Sequence, residues 1–216
     1  MFADRFRLPA GRIYLLMGAW GGFAFRLITT AYALYYITVA HLDPLQLVLV
    51  GTALETSAFL CEIPTGVLAD TFSRRFSVIA GLAIIGAAWS GQGLIPTFAA
   101  IAGFEVLRGV GEAFVNGATE AWIAGEVGDD AIGPLFLRET QVSQIAGLVG
   151  LPVGVGLGLI DLQIPMVLGG ALIAALAIFL IFVMPERHHP RASRCRPPAA
   201  RTSTSSRSCA SRCARA

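Results

Sequence analysis

The sequence has no lysine, only 14% charged residues, three histidines and four cysteines. A soluble domain carries roughly a quarter of its residues as charges, so this deficit, set beside 55% hydrophobic residues, excludes an ordinary soluble fold. His41, His188 and His189 all lie outside the long apolar runs, which argues against a membrane-embedded enzyme with a serine–histidine or histidine–metal site. Cys195, Cys209 and Cys213 crowd the last residues and leave Cys61 alone in an apolar run. No disulfide framework and no CxxC pair results, and neither a metal nor a cofactor is expected. Residues 187–216 lack acids and also lack Leu, Ile, Val, Phe, Tyr and Trp. That segment has no means to build a core and no aromatic platform for stacking nucleic-acid bases.

What is present is apolar length. Spans at about 13–40, 46–69, 76–95, 97–124, 136–160 and 164–184 are each about 20 residues or more, the length that crosses a bilayer as a helix. They lack the period-2 alternation of barrel strands, and the first is longer than the core of a cleaved signal. The expectation is an all-α membrane protein with three segments: a cytoplasmic N-terminus at 1–12, a six-helix domain at 13–186 and a disordered arginine-rich tail at 187–216. The tail reads either as a patch for anionic lipid or as a truncated or out-of-frame ending.

Charge is unevenly placed. Residues 1–186 carry 8 arginines against 14 acids, whereas 187–216 carry 8 arginines. Arg5, Arg7 and Arg12 precede span one, Arg74 and Arg75 join spans two and three, and Arg138 opens span five. The alternate connections, 41–45, around Pro96 and 161–163, contain no arginine. By the positive-inside rule both termini are cytoplasmic, in a plasma or inner membrane.

Six ionisable residues lie well inside the spans: Arg26, Glu55, Glu62, Glu105, Arg108 and Glu112. Facing lipid together they would cost on the order of 15 to 20 kcal/mol. Glu105, Arg108 and Glu112 stand at i, i+3 and i+7, which puts them on one helical face and lets the arginine pair with either acid. Glu55 and Glu62 share a face of span two. Arg26 lies roughly 20 Å into span one and Arg108 roughly 16 Å into span four, so both approach the midplane. Two readings stand: buried ion pairs that fasten helices, or a polar cavity for substrate and protons. Glu55 and Glu62, without an arginine at helical spacing, are the better proton carriers. In span five Gly150, Gly154 and Gly158 fall four apart around Pro152, as Gly18 and Gly22 do in span one; such stripes serve close helix packing or a hinge.

Gly66-Val67-Leu68-Ala69-Asp70-Thr71-Phe72-Ser73-Arg74-Arg75 resembles the cytoplasmic loop signature of the major facilitator superfamily, with Thr71 where a basic residue is usual and Ser73 where glycine is usual. Arg108-Gly109-Val110-Gly111-Glu112 resembles the family's fourth-helix signature. Gly150-Leu151-Pro152-Val153-Gly154 resembles its proton-antiporter signature, with Leu151 replacing a glycine, and Pro185-Glu186 resembles the end of the family's N-terminal half. The resemblance covers residues 12–186. It implies six transmembrane helices as two three-helix inverted repeats, half of a transporter that works by alternating access. On that basis the chain is expected to take part in proton-coupled efflux of small molecules or drugs. The alternative is a truncated fragment without transport of its own. Its expected partners are the lipid bilayer, a small-molecule substrate with protons, and a missing C-terminal half or a second copy of the chain. Nucleic acid is not among them. The resemblance further makes Gly66, Asp70, Arg74 and Arg75 a latch between halves. Asp70, at a helix C-terminus where the dipole opposes an anion, is expected to cluster with Arg74 or Arg75 and with Glu120, and Glu126 lies within reach of the same arginines.

Overall fold

The computed structural model describes residues 9–71, 73–127 and 129–184, without the side chains of 67–71 and 129–131. Seven helices fill the described residues: α1 Ala10–Thr38, α2 Pro44–Thr71, α3 Arg74–Leu94, α4 Phe98–Val115, α5 Ala118–Val127, α6 Asp129–Gly158 and α7 Gln163–Val183. Five stretches are long and apolar enough to cross a membrane: Ala10–Thr38, Pro44–Gly66, Arg74–Leu94, Ile132–Gly158 and Gln163–Val183. The described residues are therefore all-helical, with several apolar helices of the length found in membrane proteins. The tail at 187–216 and the N-terminal residues 1–8 lie outside the described residues.

Local chemistry sets the helix ends. Asp43 and Gln46 form a reciprocal capping box at the start of α2: the Gln46 amide donates to Asp43 Oδ1 at 2.8 Å and the Asp43 amide to Gln46 Oε1 at 3.1 Å. Pro44 then occupies the first helical position, where its missing N–H is of no consequence. Ser73 caps α3, its hydroxyl accepting from the Phe76 amide at 3.2 Å. Asp161 Oδ1 accepts from the Gln163 amide at 2.8 Å where α7 begins.

The fourth expected span, 97–124, is broken. α4 ends at Val115, the chain turns through Asn116 and Gly117, and α5 follows. Gly117 has φ 72°, a left-handed conformation that glycine adopts without the penalty a Cβ imposes, and an Asn-Gly pair is a natural helix terminator. α4 itself has 18 residues and contains Glu105, Arg108 and Glu112. α6 starts upstream of the expected residue 136 and carries both Pro134 and Pro152.

Packing joins helices that are distant in sequence. α1 lies chiefly on α6 and secondly on α7; α2 lies on α4; α3 lies on α4 and α7. α2 and α3, although consecutive, touch lightly, as do α6 and α7. Glycines allow the closest of these approaches. A Cβ built at Gly150 of α6 would sit 2.6 Å from the Phe23 carbonyl oxygen of α1, and one at Gly154 would sit 2.9 Å from that of Leu27. The α3 and α7 backbones meet in the same way, with Gly86 facing the Gly170 carbonyl at 2.7 Å from a built Cβ. Two apolar clusters form the core, one around Tyr35, Trp89 and Met166, the other around Ile13, Trp122 and Leu180. Outward, Phe59, Ile63, Leu159 and Phe182 are exposed, which is costly in water and favourable against lipid.

Candidate functional site

The site grows from one face of α4. Arg108 reaches back one turn, where its Nε lies 2.8 Å and its Nη2 2.7 Å from Glu105 Oε2. It also reaches forward, with Nη1 2.6 Å from Glu112 Oε1. One guanidinium thus bridges two carboxylates, the i, i+3 and i, i+4 geometry that a helix offers. The guanidinium carbon stands 4.7 Å from the ring centroid of Trp89 in α3, within cation–π range. Burial is graded along the bridge: Glu105 is 3% exposed, Arg108 12% and Glu112 35%.

Two further side chains meet Glu105. The Tyr36 hydroxyl, from α1, lies 3.0 Å from Glu105 Oε1 and 2.5 Å from Gln92 Oε1. Gln92 of α3 donates through Nε2 to Glu105 Oε1 at 3.2 Å. Both are buried, and among the described residues every buried side-chain nitrogen and oxygen has a hydrogen-bond partner. Tyr36, Gln92 and Trp89 are additions to the residues singled out from the sequence. The available signal was a lone glutamine in an apolar span, since a buried amide needs partners.

Two cavities lie along α2 and α4, and Arg108 borders the larger of them. One of about 310 Å³ is bounded by Tyr32 and Tyr36 of α1, Val50 and Leu54 of α2, and Glu105 and Arg108 of α4. The other, about 220 Å³, is bounded by Glu55, Phe59 and Glu62 of α2 with Ala113 and Asn116. Glu55 and Glu62 are exposed to this second space, and Glu55 is within electrostatic reach of Glu112. α2 and α4 approach closely along this face: Thr65 Oγ1 donates to the Ala113 carbonyl at 3.0 Å, and a Cβ at Gly109 would lie 2.6 Å from the Leu54 carbonyl oxygen.

Arg26 is placed elsewhere. It is exposed on the α1–α6 side, where its Nη2 is 3.4 Å from Gln144 Oε1 and its stem crosses Gly147. It lines neither cavity. Glu139, not counted among the intramembrane charges from sequence, packs its side chain on Gly18 across the same interface. Gly158, at the end of the glycine stripe, is looser, with its nearest neighbours at 3.6 and 3.9 Å from a built Cβ. Pro152 lies inside α6 between these contacts.

At the other end of the bundle, Arg74 Nη1 donates to the Ala121 carbonyl of α5 at 2.8 Å. Arg75 donates to the Ile181 carbonyl in the last turn of α7, where unpaired carbonyls and the helix dipole attract a cation. Glu120 is exposed in the first turn of α5, and Gly66 has open space beside it. The Asp70 side chain, and with it the expected cluster, lies outside the described residues.

No protein-family model matches the chain. Over 130 residues it is 25% identical to the uncharacterized MFS-type transporter YxaM of Bacillus subtilis (strain 168), MFS being the major facilitator superfamily. The chain is similar to a transporter of that superfamily. The match takes in 60% of this chain and 32% of YxaM, so this chain spans about a third of the relative it matches. That relative is a membrane transporter by its name, and this chain shares with such proteins several apolar helices of membrane-crossing length.

Proposed function

We propose that the chain is the N-terminal half of a secondary active transporter that carries out proton-coupled efflux of small molecules or drugs by alternating access. The observation that carries this reading is Arg108, held between Glu105 and Glu112 in an otherwise apolar helix and bordering a cavity of about 310 Å³. That volume suits a drug-sized or smaller ligand, and ionisable groups at such depth are expensive unless they serve a pathway.

The helix pairing supports two three-helix inverted repeats, with α4 and α5 together as the fourth of six spans. Exchanging α1, α2 and α3 for α4, α6 and α7 turns the α1–α6 contact into α4–α2 and the α1–α7 contact into α4–α3. It turns the light α2–α3 contact into the light α6–α7 contact and leaves α3–α7 unchanged. In this reading Glu55 and Glu62 exchange protons, Arg26 contributes charge from the α1–α6 side, and the glycines of α6 permit rocking. Asp70, Arg74 and Arg75 with Glu120 form a cytoplasmic latch toward a C-terminal half or a second copy, both termini being cytoplasmic. Proton-coupled efflux in vesicles containing the chain tests this, with Glu62→Gln expected to abolish coupling; unchanged coupling removes Glu62 from the mechanism.

A second reading, that this chain alone is inert, draws on the exposure of Glu55 and Glu62 and on the third of YxaM that is matched. Flux from vesicles holding only this chain refutes it.

A further inference from the structure

Gln92 has no part in the transport reading. It stands in α3, which borders neither cavity, and its side chain is fully buried. A buried primary amide costs free energy unless it is bonded, and an apolar side chain of the same size would fill the space without that demand. Its bonds explain its presence. Gln92 Oε1 accepts from Tyr36 at 2.5 Å, and its Nε2 donates to Glu105 Oε1 at 3.2 Å. The Tyr36 hydroxyl also faces Glu105 Oε1 at 3.0 Å. The two oxygens of Glu105 are thereby divided between tasks: Oε1 meets α1 and α3, while Oε2 meets Nε and Nη2 of Arg108.

We infer that Tyr36 and Gln92 are positioning residues for Arg108. By engaging one oxygen of Glu105 they turn the other toward the guanidinium, and so hold Arg108 against Trp89 beside the larger cavity. Glu112, one turn further on, competes for the same guanidinium at 2.6 Å and is better solvated. Without the fixed Oε2, Arg108 follows Glu112 and leaves the indole. The place of the cation beside the larger cavity has meaning for transport only on the reading above, whereas the positioning itself does not depend on it. The consequence is that three separate helices set the position of one cation. A movement of α1 or α3 relative to α4 reaches Arg108 through Glu105, although neither Tyr36 nor Gln92 is hydrogen-bonded to the guanidinium.

The test is tryptophan emission from the purified chain in detergent. Trp20 stacks on Phe179 and bonds to the Leu172 carbonyl, and Trp122 belongs to the other core cluster, so both are remote from the network. Gln92→Met and Tyr36→Phe are each expected to shift the emission of Trp89, a shift that disappears when Trp89→Phe is added. Both shifts are also expected to disappear in a Glu105→Gln background, where Arg108 has already lost its anchor. Emission unchanged in both variants overturns the proposal. So do shifts that persist undiminished beside Glu105→Gln, because a merely packing role would leave the effects additive. Tyr36→Phe keeps the ring and carries the test if Gln92→Met does not fold. A parent chain that moves no substrate in vesicles counts against the transport reading alone, since the emission cycle needs no flux.

Discussion

Arg108→Met is the perturbation whose size the geometry fixes best. The substitution keeps much of the side-chain volume and removes the cation between Glu105 and Glu112. Glu105 is 3% exposed, so its carboxylate remains buried with only the Tyr36 hydroxyl and the Gln92 amide for partners. Removing one member of a buried ion pair costs about 3–5 kcal/mol, because the remaining charge is left uncompensated. Glu112, at 35% exposure, retains solvation, and its lost pair contributes at most about 1 kcal/mol. The contact with Trp89 adds about 0.5–2 kcal/mol. The expected loss is therefore about 4 kcal/mol or more, and most of it belongs to Glu105. Adding Glu105→Gln to Arg108→Met removes the stranded charge while keeping the shape, and should bring stability back to within about 2 kcal/mol of the parent. Glu112→Gln in place of Glu105→Gln should rescue far less. Unfolding in mixed micelles by titration with a denaturing detergent, followed by helical circular dichroism, measures all four proteins. An Arg108→Met variant within about 1 kcal/mol of the parent, or a double variant no better than the single one, would refute the assignment of a buried charge pair.

Two predictions concern the backbone. Gly154→Ala places a methyl 2.9 Å from the Leu27 carbonyl oxygen and 3.3 Å from Thr30 Cβ, and should cost about 1–3 kcal/mol by forcing α1 and α6 apart. Gly156→Ala, which meets nothing within 4 Å, should be neutral or slightly stabilising in the same unfolding assay. Gly117→Ala should cost about 1–2 kcal/mol through its φ of 72° alone, as its Cβ would stand in open space. Gly117→Asn should cost less, because asparagine tolerates the left-handed region better.

Much of the bundle is visible in composition. Apolar runs of membrane-crossing length locate five helices to within a few residues at most ends, and the fourth run conceals a break because Asn116-Gly117 is too short to interrupt a hydropathy pattern. Helical spacing brings Glu105, Arg108 and Glu112 onto one face, and a local rule suffices there because all three belong to one helix. Tyr36 and Gln92 could not be added in that way. They come from α1 and α3, 69 and 13 residues from Glu105, and periodicity within one helix carries no information about its neighbours. Arg26 shows the same limit from the other side. Its depth in span one follows from counting residues, yet α6 rather than α4 covers that turn of α1.

By itself, then, the sequence determined that the chain is helical and apolar, where its arginines gather, and which charges share a helix face. These are properties of single residues and near neighbours: transfer free energy, helix rise and the i, i+3 and i, i+4 spacing. Tertiary structure alone decided which helices meet, that the guanidinium shared by two carboxylates borders a cavity between α1, α2 and α4, and that an amide on α3 bonds one of those carboxylates. Such outcomes depend on backbones that approach closely where a glycine opens one face and on buried polar groups that must satisfy one another across helices. Neither condition is written at any one position of the chain.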